Sequence, residues 1–281
     1  MSVAKNNCSL RRAIRNSQLK KVIALLITTP NLDGNILNFG VKHGNLEIVK
    51  ALFAAGANIC NLNNNTIQLV AETGYLEIIE LLLAEGINIH IDNNIILRSA
   101  ARCGHIEIVK LSLAVGADVH ALEDYALRFS VNNGHLNIVK VLLAAGANPH
   151  AFKNVALQTA AEKGYHEIVE QLLAAGADPC ALTSSALHFA VTKNRFRIVE
   201  LLLAAGADPR ASGNLILLTA IKNSCLDIII ALIFYYSTKE LADIQSEMQS
   251  PLLAEIIARH MPRGSHTKAA LRGPRPVELD I

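Results

Sequence analysis

The feature that most constrains this chain is a motif that returns every 30 residues. One copy, at residues 164–178, reads GYHEIVEQLLAAGAD. The first glycine of the motif stands at Gly44, Gly74, Gly104, Gly134 and Gly164, and the second glycine keeps the same step. A fixed period of this length is typical of a solenoid, in which each unit buries its apolar face only against its neighbours. We therefore expect one repeat array rather than a globular domain.

Each copy of the motif predicts two helices joined by a glycine turn. The apolar stripe of the second helix lies at residues 168, 169, 172 and 173, and Glu or Gln occupies the opposite face. Gly176 stands where a helix end requires a residue with positive φ, and Pro179 prevents the helix from resuming. Apolar residues at 156, 157, 160 and 161 share one face of a predicted shorter first helix, and the alanines among them let a neighbouring helix approach closely. The predicted fold class is therefore all-α.

The repeat carries a family resemblance. Residues 160–179, AAEKGYHEIVEQLLAAGADP, and the related copies over roughly residues 35–208 resemble the ankyrin repeats, whose units are about 33 residues long. The units here have 30 residues, and only Leu187-His188 matches part of the TPLH signature of the family. The missing residues fall in the loop after Gly-Ala-Asp. The resemblance thus implies an ankyrin-type solenoid of helix-turn-helix repeats with shortened loops.

The sequence divides into four predicted segments. Residues 1–30 predict a divergent N-terminal capping repeat, and residues 31–236 predict an ankyrin-like array of about seven units. Residues 237–261 predict two C-terminal capping helices, because Ser237 and Glu240 have capping-box spacing and Ser250-Pro251 is typical of a helix start. Residues 262–281 are rich in Pro, Gly and Arg and predict a disordered tail.

Composition and charge narrow the classes of partner. With 51% hydrophobic but only 4% aromatic residues, the core is predicted to be aliphatic. The net charge of +2, without an aromatic-basic motif, argues against nucleic acid as a partner. Residues 1–30 nevertheless carry six basic side chains and no acid. We favour the interpretation that these side chains form the solvent-exposed outer face of a capping repeat. The alternative is a contact for an acidic partner or lipid head groups. No apolar run reaches membrane-spanning length.

One column of residues raises the alternative of a metal site. Cys60, His90, His120, His150 and Cys180 occupy one position of successive repeats. Neighbouring helices pack about 8–10 Å apart, whereas the ligands of one zinc ion lie about 2 Å from it, so we expect these side chains to be structural. No catalytic motif occurs, and we predict no enzyme activity, no metal and no cofactor. Five cysteines without a CxxC pair indicate a reduced, cytoplasmic protein.

The residues predicted to bind a partner are polar or exposed positions that vary between repeats. The family resemblance implies that such positions, on the inner helices and loop tips, present a binding groove, although unconstrained surface positions vary as well. Tyr125, Phe152 and Leu182 are predicted to be exposed anchors at successive tips, with Arg128 one turn from Tyr125. The remaining predicted contacts are Arg102, Asn132, Asn133, Lys153, Glu162 and Lys163.

The function predicted from the sequence is a monomeric, non-enzymatic scaffold or adaptor that binds another protein. Abbreviated repeats of this kind also occur in proteins of host-associated bacteria and large DNA viruses, so the resemblance leaves open an effector secreted into the cytoplasm of a host cell. A metal-binding protein that uses the Cys/His column is a second alternative. A purely structural spacer is the third.

Overall fold

The computed structural model describes residues 3–29 and 32–260, and the predicted tail at 262–281 lies outside this range. The described residues contain helices and turns but no strand. Two compact units are distinguished, residues 1–147 and 148–281, and each is described by itself.

The first unit contains five helix pairs in chain order. Within each pair the two helices pack together, and each also packs against its counterpart in the next pair of the unit. A short 3-10 turn, Ile59–Asn61, precedes the third pair. The ten helices are α1 (Val3–Arg15), α2 (Leu19–Ile27), α3 (Ile36–Lys42), α4 (Leu46–Ala54), α5 (Asn64–Thr73), α6 (Leu76–Ala84), α7 (Ile91–Cys103), α8 (Ile106–Ala114), α9 (Ala121–Asn132) and α10 (Leu136–Ala144).

The second unit contains three further pairs of the same kind and two terminal helices. The helices are α11 (Ala151–Lys163), α12 (His166–Ala174), α13 (Ala181–Thr192), α14 (Phe196–Ala204), α15 (Leu215–Lys222), α16 (Leu226–Ile233), α17 (Thr238–Met248) and α18 (Pro251–His260). Helix α18 packs on α16 and on α17. The predicted capping box is present, since the Ser237 hydroxyl accepts from the Glu240 N–H and the Glu240 carboxylate accepts from the Ser237 N–H.

The core is aliphatic and follows the predicted stripes. On α12, Ile168, Val169 and Leu172 are buried, whereas Leu173 is only half-buried. On α11 the residues predicted to share one apolar face, at positions 156, 157, 160 and 161, are all buried. Each large aliphatic side chain buried in this way contributes about 1.5–3 kcal/mol relative to exposure, before the cost in conformational entropy. The alternation of large side chains with alanine is what allows the first helices to pack closely.

The turn glycines serve two different physical needs. Gly104 ends α7 with φ +91°, and a Cβ on it would lie 2.9 Å from the imidazole of His135 in the next repeat. The His135 ring is held there because its Nε2–H donates to the carbonyl of Arg102 at 3.1 Å. Gly116, at φ +94°, has no atom within 4 Å of such a Cβ. Gly104 is therefore required by both conformation and space, and Gly116 by conformation alone.

The two glycines make a matched pair of substitutions. Gly116→Ala places a Cβ at positive φ and is expected to lower the free energy of unfolding by about 1–2 kcal/mol. Gly104→Ala carries the same strain and also displaces the His135 ring, which adds about 1–3 kcal/mol. Urea unfolding of both variants measures the difference. Equal destabilisation would show that the His135 contact does not couple adjacent repeats.

A buried tyrosine links α16 to the preceding loop in the second unit. Tyr236 is 4% exposed, and its hydroxyl donates to the carbonyl of Pro209 at 3.2 Å. Burial raises the pKa of Tyr236 to about 12; Arg210 lowers it, and Asp208 and Glu240 raise it further. The folded protein therefore holds this phenol in its neutral form at pH values where the unfolded chain ionises it.

This pKa shift predicts alkali sensitivity. Below the unfolded tyrosine pKa of about 10 both states are protonated, so the contribution of Tyr236 to stability is fully present. Between about pH 10 and 12 the unfolded state loses the proton first, and up to about 3 kcal/mol of stability is lost. Urea unfolding from pH 8 to 11 measures this decline. Tyr236→Phe should show a shallower decline over the same range; an unchanged slope would contradict the assignment.

Candidate functional site

The most unusual backbone of the chain lies at four loop tips. Three consecutive residues are left-handed at positions 92–94, 122–124, 152–154 and 182–184, with φ between 45° and 60°. We call these segments the tip turns. Left-handed geometry costs about 1–2 kcal/mol for each residue with a Cβ, and none of the twelve is glycine. The surrounding structure must therefore stabilise the tip turns.

Each tip turn is a kink near the start of its helix, and hydrogen bonds from side chains further along the same helix offset part of this strain. Arg98 donates from Nε to the carbonyl of Asn93 at 2.7 Å and from Nη2 to that of Asp92 at 2.8 Å. Arg128 makes the same two bonds one repeat later, to residues 123 and 122, both at 2.9 Å. In the second unit Gln158 donates to the carbonyl of Lys153 at 2.9 Å. Arg128, which the sequence predicted as a partner contact, thus also holds its own tip turn.

The third residue of each tip turn is buried, and in three of the four turns it connects two repeats. The Asn94 side-chain oxygen accepts from the backbone N–H of Asp118 at 2.9 Å. Asn154 and Ser184 accept in the same way from Asp178 and Asp208, both at 3.2 Å. Asn and Asp tolerate left-handed geometry better than most residues, which explains their recurrence at this position. These three tip turns are thereby fixed to the next loop of their own unit.

The first residue of three tip turns is apolar and exposed. Leu122 in the first unit is 47% exposed, and Phe152 and Leu182 in the second unit are 57% and 53% exposed. Phe152 and Leu182 are where the sequence predicted exposed anchors. Leu122 was missed, although a step of 30 residues back from Phe152 leads directly to it.

The prediction that Tyr125 is an exposed tip residue is wrong. Tyr125 lies on α9, three residues after Leu122 and beyond the left-handed segment. Its side chain is half-buried rather than exposed. Its ring stacks on Phe129 with centroids 3.9 Å apart. The Arg98 guanidinium lies 5.1 Å from the ring centroid and that of Arg128 lies 5.9 Å from it. Its aromatic face is therefore largely occupied by neighbours from its own unit.

The predicted polar contacts of the first unit form bonds between repeats. Arg102 on α7 makes an ion pair with Glu72 on α5. Asn133 donates from its side chain to the carbonyl of Arg102 at 2.7 Å, and Asn132 donates to Asn133 at 3.0 Å. These side chains remain at least partly exposed, so the same row that links the repeats is also accessible to a partner.

The predicted polar contacts of the second unit are more accessible. Lys153 and Lys163 are exposed, and the half-buried Glu162 lies 3.7 Å from the Lys193 ammonium. An ion pair of such exposed groups contributes little to stability, about 0–1 kcal/mol. These charges are therefore available for recognition at small cost to the fold.

The Cys/His column serves local structure in each unit. His120 lies 3.1 Å from the Asp124 carboxylate, and the Cys180 thiol donates to the carbonyl of Gly206 at 3.2 Å. Across residues 3–29 and 32–260 no three His, Cys, Asp or Glu side chains come close enough to hold a metal ion. This geometry gives no support to the metal alternative.

The stacked helix pairs, their glycine turns and the exposed tip turns define an all-α repeat protein. Sequence comparison then identifies the family: a model of ankyrin repeats in three copies matches residues 37–123 and 97–183, and a single ankyrin-repeat model matches residues 184–214. These matches cover more than half of the chain, which therefore belongs to the ankyrin-repeat family, as the resemblance implied. Comparison with curated proteins gives no match. No described helix combines the length and apolarity that crossing a bilayer requires.

The stabilisation that the Asn94 hydrogen bond provides can be measured separately from the cost of the left-handed backbone. Asn94→Ala removes both the acceptor for Asp118 N–H and a residue suited to left-handed geometry, whereas the exposed Asn93→Ala removes only the latter. We expect Asn94→Ala to lower the free energy of unfolding by about 1–3 kcal/mol more than Asn93→Ala, because a buried donor is left unsatisfied. Chemical denaturation of both variants tests this. Identical losses would mean that the tip turn is not held through the inter-repeat bond.

Proposed function

We propose that this chain is a non-enzymatic scaffold that binds a partner protein through its tip turns and first helices. Ankyrin repeats generally mediate protein–protein interaction. The observation that carries the proposal is the placement of Leu122, Phe152 and Leu182, three large apolar side chains each about half exposed, on hydrogen-bonded turns. Exposed apolar anchors on a rigid backbone lose little conformational entropy on binding and dominate interface energy.

The chemistry of the cysteines supports a reducing location. All five cysteines are free, and burial raises the pKa of the Cys225 thiol, which keeps it protonated and unreactive. We therefore propose that the scaffold works in the cytoplasm as a monomer. The same chemistry suits the alternative of a bacterial or viral effector that works in the cytoplasm of its host.

The proposal is tested on the second unit, where two anchors follow each other. Phe152→Ala combined with Leu182→Ala is expected to weaken binding of a captured cellular partner at least 10-fold, because each anchor is expected to contribute about 1 kcal/mol or more. Affinity capture from lysate with quantitative mass spectrometry finds the partner, and a dissociation constant for that purified partner measures the loss.

Phe234→Ala is the matched control for this test. Phe234 is 54% exposed but is the C-cap residue of α16 and belongs to no tip turn, so its loss should leave affinity unchanged. All variants must first show the melting temperature of the parent protein. Equal binding by the anchor variant and the parent would remove the tip turns of this unit from the interface.

A further inference from the structure

The two helices of each pair in the first unit differ in charge. Beyond the tip turns, the described side chains of the first helices include seven cations and one acid; they are Arg11, Arg12, Arg15, Lys42, Arg98, Arg102 and Arg128 against Glu72. The second helices carry five cations and four acids, namely Lys20, Lys21, Lys50, Lys110 and Lys140 against Glu47, Glu77, Glu80 and Glu107. The excess positive charge is therefore larger on the first helices than on the second helices, although the tip turns add the acids Asp92, Glu123 and Asp124 to the first helices.

Contacts between successive first helices show that these cations share a continuous surface. The guanidinium groups of Arg11 and Arg15 on α1 both lie 5.9 Å from the ring centroid of Phe39 on α3. At the other end, Arg98 on α7 lies over the ring of Tyr125 on α9. We call the surface formed by α1, α3, α5, α7 and α9 the basic face. Glu72, the acid on this face beyond the tip turns, makes an ion pair with Arg102. Asp33, in the loop before α3, makes an ion pair with Arg11.

The basic face contains a cleft of about 430 Å³ between α1, α3 and α5. Its lining includes Arg11 and Lys42, the side-chain amides of Asn35 and Asn65, and the apolar surfaces of Phe39 and Leu69. Asn35 makes no side-chain capping bond to α3, and Asn65 is exposed. An amide side chain offers both a donor and an acceptor, which matches the N–H and C=O groups of an extended peptide.

We propose that the basic face binds an acidic peptide segment in extended conformation. Carboxylates of the segment pair with the exposed Arg15 and Lys42, its backbone bonds to the Asn35 and Asn65 amides, and an apolar side chain packs on Leu69 and against the edge of the Phe39 ring. This inference rests on the proposed scaffold function and names the chemistry of one partner. It gives the basic N-terminal residues a role in recognition, in place of the wet cap that the sequence favoured.

A peptide fits this face better than a polyanion does. Glu72 and Asp33 interrupt the row of cations and would repel a continuous phosphate backbone. The guanidinium groups of Arg11 and Arg15 lie over the ring of Phe39, and the ring of Tyr125 is stacked on Phe129, so neither ring offers an open face for stacking of a nucleobase. A short peptide can instead match separate cations and the amide groups between them.

A random 12-residue peptide library displayed on phage tests the proposal on the full chain. We expect the selected peptides to be enriched in Asp and Glu, and a synthetic selected peptide to bind more weakly as salt is raised, because the charges are exposed. Arg15→Glu combined with Lys42→Glu is expected to weaken its binding at least 10-fold, and Lys42→Glu alone at least 3-fold.

The matched control reverses the same number of charges on the second helices. Lys110→Glu combined with Lys140→Glu, on α8 and α10, should bind the selected peptide as the parent does. Selection of no peptides, selection without an acidic excess, or equal loss in the control would overturn the proposal. Tighter binding of oligouridylate or of phosphatidylserine vesicles than of the selected peptide would overturn it too.

Failure of this inference and failure of the proposed function give different results. If a captured cellular partner depends on Phe152 and Leu182 while the library yields no acidic peptides, the scaffold function stands and the acidic partner is wrong. If acidic peptides are selected and lost in the charge-reversed variant while the tip variant captures every partner normally, the basic face stands and the tip turns are wrong.

Discussion

The structure depends on the fact that no helix pair can bury its apolar side chains alone. Ile168, Val169 and Leu172 on α12 are almost fully buried, and α12 packs on α11 of its own pair and on α14 of the next pair. The glycine turns make this coupling specific as well as hydrophobic. His135 rests on Gly104 and bonds to the carbonyl of Arg102, so one side chain fills the space above the previous turn and satisfies its last carbonyl. Each repeat therefore completes the one before it.

The tip turns apply the same nearest-neighbour logic to a strained backbone. Arg98 or Arg128 binds the carbonyls that left-handed geometry leaves without helical partners, and a buried Asn or Ser ties the turn to the following loop. These bonds do not remove the cost of left-handed residues but make any other conformation lose several hydrogen bonds at once. The result is a short, stiff loop. Its first side chain, in three of the four turns, is apolar and faces solvent.

The sequence predicted what depends on periodicity and local chemistry. The helix pairs, the positive φ of Gly176 and the capping box at Ser237 are all confirmed. The tip turns were not predicted, because left-handed residues are usually recognised by glycine and these turns contain none. The tip position of Tyr125 was wrong because aromatic character does not define register: one repeat before Phe152 is Leu122, three residues earlier. The ion pair of Arg102 with Glu72 depends on side-chain rotamers, which no spacing rule specifies.

Two arginines of the basic face combine a structural role with a positive charge on the surface. A guanidinium that donates to a backbone carbonyl keeps its full charge, so Arg98 and Arg128 stabilise the tip turns and still contribute positive potential to the first helices. Lysine at these positions would supply the charge, but its single ammonium lacks the fork that reaches two successive carbonyls. Gln158, at the same position in the second unit, makes one of these two hydrogen bonds but carries no charge. The first unit therefore differs from the second in electrostatics while sharing its loop geometry, which is how one repeat fold can present two chemically different surfaces.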